Sequence, residues 1–334
     1  MNDQEQNPFH AWVRLEQPRL GSRVVYASDE FFAAKERLIE PQDPVFIDGK
    51  YDDHGKWMDG WESRRKRVAG YDHCIVRLGI PGIVHGVDID TSFFTGNYPP
   101  SASIDACVSS ATIPGDEVQW QELLPAEDLQ GDAHHLLRIE NDNAFTHLRL
   151  NIYPDGGIAR LRVYGEVRPD WDEVDSSEVL DLFAIERGGR AILCSDQHYG
   201  TKHNLNFAGR GINMGDGWET ARRRGPGNDW VVLRLGHPGR IDKVEIDTAH
   251  FKGNYPDRAE MRAALVADDN DLAAASADWP LLLPESKLEM DTQHYFSDTL
   301  RDVGVVSHVR LNIFPDGGIS RVRLLGSIAA GDHS

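Results

Sequence analysis

Two stretches of this chain set carboxylates, an indole and a run of cations side by side. They are Asp59-Gly60-Trp61-Glu62-Ser63-Arg64-Arg65-Lys66 and, 216 − 59 = 157 positions later, Asp216-Gly217-Trp218-Glu219-Thr220-Ala221-Arg222-Arg223. A guanidinium in a glycine-led loop can hold a carboxylate through two parallel N–H bonds, and a neighbouring carboxyl can give or take a proton. A second loop, Gly96-Asn97-Tyr98-Pro99, recurs as Gly253-Asn254-Tyr255-Pro256. Asn97 and Asn254 each bring a donor and an acceptor, which is what a urea-like amide requires of a partner. Each motif also has a plainer reading. Trp61 could be core, Asp59 could cap a turn, and Glu62 could pair with Arg64 or Arg65 on a wet surface, where ion pairs are common and weak. A loop fixed by Gly and Pro needs no ligand to explain it.

The elements that must position these residues are duplicated as well. Residues 77–99 and 234–256 are identical at 14 of 23 positions, and residues 147–165 and 308–326 at 13 of 19. One unit is therefore written twice, with domains expected at 1–168 and 169–334. Ser28-Asp29 returns as Ser195-Asp196 at an offset of 167, so the first unit carries 167 − 157 = 10 extra residues, expected in the loop around 47–54. Short β-branched runs punctuated by Gly and Pro predict strands at 23–27, 74–78, 84–90, 103–109, 231–235 and 261–266, with turns at Pro81-Gly82 and Pro238-Gly239. A hairpin closes each unit around Pro-Asp-Gly-Gly, with glycines taking positive φ. Leu161 and Val163 alternate with Arg160 and Arg162, and Val87 and Ile89 with Asp88 and Asp90, which predicts one buried and one wet face. The architecture expected is all-β, two antiparallel sandwiches in tandem joined by an acidic linker near 166–182.

Lys plus Arg number 35 and Asp plus Glu 54, a net charge of −19. That excludes a broad nucleic-acid or anionic-membrane surface while leaving room for a few arginines in one cleft. Three cysteines make no CxxC and no even set, so a reduced, cytoplasmic protein is expected. Residues 1–10 are polar, without the apolar run of a secretory signal, and no stretch approaches the roughly 18 apolar residues of a membrane span. The 14 histidines form no HExxH; His54, His134, His135, His198 and His203 fall in loops, and a metal would need three such groups to converge. The glycines at 209–215 do not make a GxGxxG after a strand, and no GxSxG is present. Cys74 and Cys194 lie in or near strands and lack the setting of a reactive thiolate.

The paired Asp-Gly-Trp-Glu blocks, the paired Gly-Asn-Tyr-Pro loops, the paired Pro-Asp-Gly-Gly hairpins, Ser195-Asp196-Gln197-His198-Tyr199-Gly200 and Gly209-Arg210-Gly211 resemble the two repeats of allantoicase. The likeness runs from about Val13 to Gly326. It departs mildly at Ser63, where the family often has Thr, and at Ala221, where it often has Arg, which would leave the second repeat holding substrate less fully. The resemblance implies two jelly-roll (galactose-binding-like) sandwiches, a homo-oligomer, and hydrolysis of allantoate to ureidoglycolate and urea. It also implies a divalent metal requirement, manganese, in some members, with no other cofactor. On that footing Glu62 and Glu219 are the acid or base candidates, with Asp59 and Asp216 orienting them and His198, matched by Phe31 in the first unit, a further catalytic candidate. Arg64, Arg65 and Arg222 would take the substrate carboxylate, and Asn97, Asn254, Tyr98 and Tyr255 its ureido groups. Two other readings stay open: a non-catalytic tandem module for small ligands or carbohydrate, and a different ureido hydrolase on the same scaffold.

Overall fold

The computed structural model describes residues 7–9, 12–169, 171, 174–175, 178–267 and 271–329. Most of the polar N-terminal stretch and linker residues 170, 172, 173, 176 and 177 lie outside them. The chain divides into two compact units, Met1–Pro169 and Asp170–Ser334. Among the described residues no helix is long and apolar enough to cross a membrane.

Each unit is a jelly-roll sandwich built on one strand of 19 residues, Asp72–Asp90 in the first and Asp229–Asp247 in the second. The expected turn at Pro81-Gly82 is therefore not a turn. The proline, which has no N–H to give, sits where the pairing breaks between Arg77 and Gly82, a position sheets tolerate. Before the break, the strand pairs antiparallel with Ala144–Tyr153 and Arg23–Ala27. Beyond it, the strand pairs with Arg160–Val167 and His134–Arg138. One strand thus has two sets of neighbours and wraps the core. Ser101–Cys107 and Gln121–Asp128 extend the sheet, and the second unit repeats the order. Leu148, Leu150 and Ile152 point inward with Val76, Ile104, Leu161, Val163, Val87 and Ile89, all fully buried. Val231, Leu233, Met261, Leu311, Ile313, Val322 and Leu324 build the second core.

The wet face predicted for Arg160, Arg162, Asp88 and Asp90 is not wet: all four are buried. The backbone at Glu40–Gln42 and at Asp59 lies against the arginines of that face. Arg160, 1% exposed, donates Nε to the Gln42 carbonyl at 3.0 Å and Nη2 to Asp59 Oδ2 at 2.9 Å, while Arg162 donates to the carbonyls of Glu40 and Gln42. Arg321 and Arg323 do the same against Asp216, Phe207 and Gly209. The buried guanidinium of Arg160 is tolerable because its Nε, Nη1 and Nη2 all donate. Strand alternation cannot reveal a loop folded over the polar side.

Two glycines act through space rather than φ. A Cβ on Gly60 would lie 2.4 Å from the Ile158 carbonyl oxygen, and one on Gly157 would lie 2.0 Å from the Phe94 ring. In each Pro-Asp-Gly-Gly turn only the first glycine has positive φ, Gly156 at 144° and Gly317 at 135°.

Candidate active site

Trp61 is fully buried and donates Nε1 to the Asp29 carbonyl at 2.8 Å. Its two-residue strand Trp61–Glu62 pairs with Gly157–Ile158 on one side and bridges Ala33 on the other. Because successive strand residues face opposite ways, burying the indole turns Glu62 outward. It turns into a cleft of about 700 Å³ whose walls include Phe32, Arg65, Lys66, Tyr98, Gln130 and Asp155.

Glu62 is 9% exposed, and its Oε1 accepts a 2.7 Å bond from Asn97 Nδ2. Burial pushes the carboxyl above its usual range, the Asn97 bond partly offsets that, and the charge of Asp52 adds to it. Asp52 belongs to the hairpin Tyr51–Asp52/Gly55–Lys56. This hairpin lies in the extra segment of the first unit: Val45 N reaches Asp59 across 14 residues, whereas Ile212 N reaches Asp216 across 4, a difference of 10. Asn97 is itself held, since its carbonyl accepts the Gly157 N–H at 2.8 Å.

Beside this pair the cations divide. Lys66 Nζ is tied to Asp72 at 2.7 Å, and its backbone N–H donates to Asp155 Oδ2 at 2.7 Å. The exposed Arg65 side chain has no hydrogen-bond or ion-pair partner among the described residues. The site therefore offers a carboxyl that is readily protonated beside a free guanidinium fork.

The second unit repeats the frame. Trp218 Nε1 donates to the Asp196 carbonyl at 2.8 Å, and Trp218–Glu219 pairs with Gly318–Ile319. Asn254 Nδ2 donates to Glu219 Oε1. Arg223 is tied to Asp229 and its N–H to Asp316 at 2.8 Å. Arg222, like Arg65, is exposed and without a partner among the described residues. Glu219 is half-buried, and so is Tyr255.

Four expected residues stand elsewhere. Asp59 and Asp216 are buried against Arg160 and Arg321 at 2.9 and 2.7 Å; they anchor the motif to the sheet and do not orient the glutamates. Arg64 lies on Asp29 at 2.9 Å and over the Phe31 ring at 4.6 Å, outside the cleft lining. The backbone N–H of Arg64 also donates to Asp29, and in the second unit that of Ala221 makes the matching bond to Asp196. The change from Arg64 to Ala221 therefore removes an exposed ion pair rather than a cleft group. His198 is exposed and stands edge-on to Tyr199 at 4.5 Å.

The loop histidines do not converge. His54 stacks on Phe31 at 4.5 Å, His134 Nδ1 meets Asp88 at 2.8 Å, and His135 bonds the Ile89 carbonyl and the Gln130 N–H. Among the described residues no group of three or more His, Cys, Asp or Glu is placed to hold a metal ion, so the residues present do not fit one. The three cysteines are unpaired. Burial pushes the Cys74 thiol well up and that of Cys107 to about 11, neither of them poised for nucleophilic chemistry.

Sequence reasoning passed over Gln130, Phe32 and Asp155, which line the cleft. Asp155 was visible as a turn residue. Gln130 and Phe32 differ between the repeats, so a search for repeated identity skips them.

Comparison with known proteins bears directly on these clefts. The sequence model of the family described as "Allantoicase repeat" matches residues 13–168 and 180–329. The chain is 56% identical over 320 residues to "Probable allantoicase 2" of Burkholderia pseudomallei, covering 95% of each. It is 54% identical over 324 residues to "Probable allantoicase" of Pseudomonas fluorescens, covering 96% of this chain and 98% of the relative. Among solved structures it resembles the crystal structure of allantoicase from Saccharomyces cerevisiae, with a TM-score of 0.78 and 37% identity over 94% of this chain and 92% of that one.

Proposed function

The chain belongs to the allantoicase family, and from that premise we propose that it hydrolyses allantoate to ureidoglycolate and urea, in the breakdown of allantoin, at the cleft of its first unit. The observation that carries the assignment to this cleft is the buried carboxyl of Glu62, lifted above its usual range, beside the unpartnered Arg65.

Allantoate has one carbon bearing a carboxylate and two ureido groups. Arg65 takes the carboxylate in its fork, which fixes that carbon in the cleft. Protonated Glu62 gives its proton to the nitrogen of one ureido group. The C–N bond then breaks and urea leaves, while the lone pair of the remaining ureido nitrogen supports the carbon. Water adds to that carbon, and the Glu62 carboxylate takes the proton released. One residue is acid and then base, and the sum is allantoate plus water to ureidoglycolate plus urea. Asn97 holds the carboxyl in position for both steps. Tyr98 forms part of the wall. Glu219, Asn254, Tyr255 and Arg222 are the second unit's copies of these groups. Asp59, Asp216 and Arg64 support the frame.

A homo-oligomer and a cytoplasmic location belong to the same reading. The family resemblance supports the first, and three unpaired thiols support the second.

The test is urea release from allantoate by the purified protein and by Arg65→Lys. Lysine keeps the charge but loses the fork, so KM is expected to rise about tenfold or more, the loss of one charge-assisted bond. Unchanged kinetics remove Arg65 from the site, and no release by the wild type refutes the activity.

A further inference from the structure

Once Glu62 is spent on proton transfer and Arg65 on the carboxylate, the cleft still has to recognise a ureido group. The committed side chains cannot do it freely. Asn97 is bonded to Glu62, Lys66 to Asp72, and Asp155 to the Lys66 N–H. Asp128 also lines the cleft, but as a carboxylate it only accepts. Gln130 remains. Its backbone is fixed on both sides: its N–H donates to His135 Nε2 at 2.9 Å, and its carbonyl accepts from Thr91 Oγ1 at 2.6 Å. Gln130 is an exposed residue of the cleft lining, and its carboxamide has no partner among the described residues.

The second unit holds the same backbone in the same way but carries a different side chain. The Glu289 N–H donates to His294 Nε2 at 2.8 Å, and its carbonyl accepts from Thr248 Oγ1 at 2.6 Å. The two positions are therefore equivalent, and the fold demands only their backbone. What differs is hydrogen-bonding capacity. A carboxamide donates and accepts in one plane and can close two bonds with the –CO–NH2 end of a ureido group; an ionised carboxylate has no donor for its carbonyl.

We propose that Gln130 reads the ureido end of the substrate in the first-unit cleft, and that Glu289 at the matching place denies the second unit that recognition. This rests on the reading of the first cleft as the hydrolytic site.

The test uses the full chain and two competitive inhibitors of urea release. N-carbamoylglycine has a carboxylate and one ureido group; glycolate has a carboxylate and none. In Gln130→Met, which keeps length and neutrality, KM for allantoate and the inhibition constant of N-carbamoylglycine should each rise about tenfold, the value of roughly one to two lost hydrogen bonds. The glycolate constant and kcat should stay within about threefold. Gln130→Glu, isosteric and able to fold as Glu289 does, should show the same selective loss, relieved as pH falls and the carboxyl regains its donor. If both inhibitors weaken equally, or neither changes, while the wild type is active and Arg65→Lys is impaired, the inference fails alone. A wild type that releases no urea overturns the reading beneath it and this inference together.

Discussion

In the first unit, Glu62 is buried, Asp52 of the hairpin acts on its charge, and the unpartnered side chains lining its cleft include Arg65 and Gln130. In the second, Glu219 is half-buried, no such hairpin intervenes between Ile212 and Asp216, and Glu289 replaces the glutamine. What is shared is a frame: the indole N–H on an aspartate carbonyl, the aspartate–arginine pair beneath, and the asparagine on the glutamate. Duplication has preserved what holds the motif in place, together with the unpartnered arginine, and has let the side chain at Gln130 diverge to Glu289. Repetition therefore marks scaffold at least as strongly as chemistry.

That contrast can be broken most decisively at the glutamates. Glu62→Gln keeps the shape and removes the proton, so kcat should fall about 10²- to 10⁴-fold with KM nearly unchanged. Glu219→Gln should cost at least about tenfold less. Equal losses in steady-state urea release would mean two working sites and would end the asymmetry.

The frame is sharpened by Asp59→Asn. Removing the charge that faces the buried Arg160 should destabilise the first unit by about 3–5 kcal/mol. This is read as an earlier denaturant midpoint by tryptophan fluorescence, with kcat per folded molecule retained. A loss of kcat without a loss of stability would return Asp59 to the chemistry.

The smallest effect concerns pH. If protonated Glu62 is the acid, activity is present below its raised pKa and is lost as pH rises through it. Asn97 stabilises the charged form and holds that pKa down against burial. Asn97→Ala should therefore move the falling limb of kcat to higher pH. A limb that stays put, or moves lower, separates Asn97 from the titrating group.

Much of this was legible in the residues. Repeat offsets predicted two like units and located the ten extra residues, and the Pro-Asp-Gly-Gly signals marked the hairpins. The failures have specific causes. Proline-glycine reads as a turn, yet at Pro81 it is a break in pairing inside one long strand. Alternating arginines read as wet, yet Arg160 lies under a loop. Glu62 and Asp59, three positions apart in one motif, point to opposite duties, because only the strand pairing of Trp61–Glu62 decides which carboxylate meets the cleft. Gln130 was hidden because its repeat counterpart is a different residue, and only a shared backbone setting reveals the match.

The hairpin Tyr51–Lys56 has a consequence for how such a protein diversifies. It contributes no strand to the sandwich sheet, pairing only with itself, yet its Asp52 helps set how tightly Glu62 keeps its proton. Acid strength in one copy can thus be retuned by editing a surface appendage, leaving the load of the ancestral sheet untouched. A lineage that lengthened or trimmed these few residues would nudge that acidity, with burial still its main cause, while every repeated motif stayed in place.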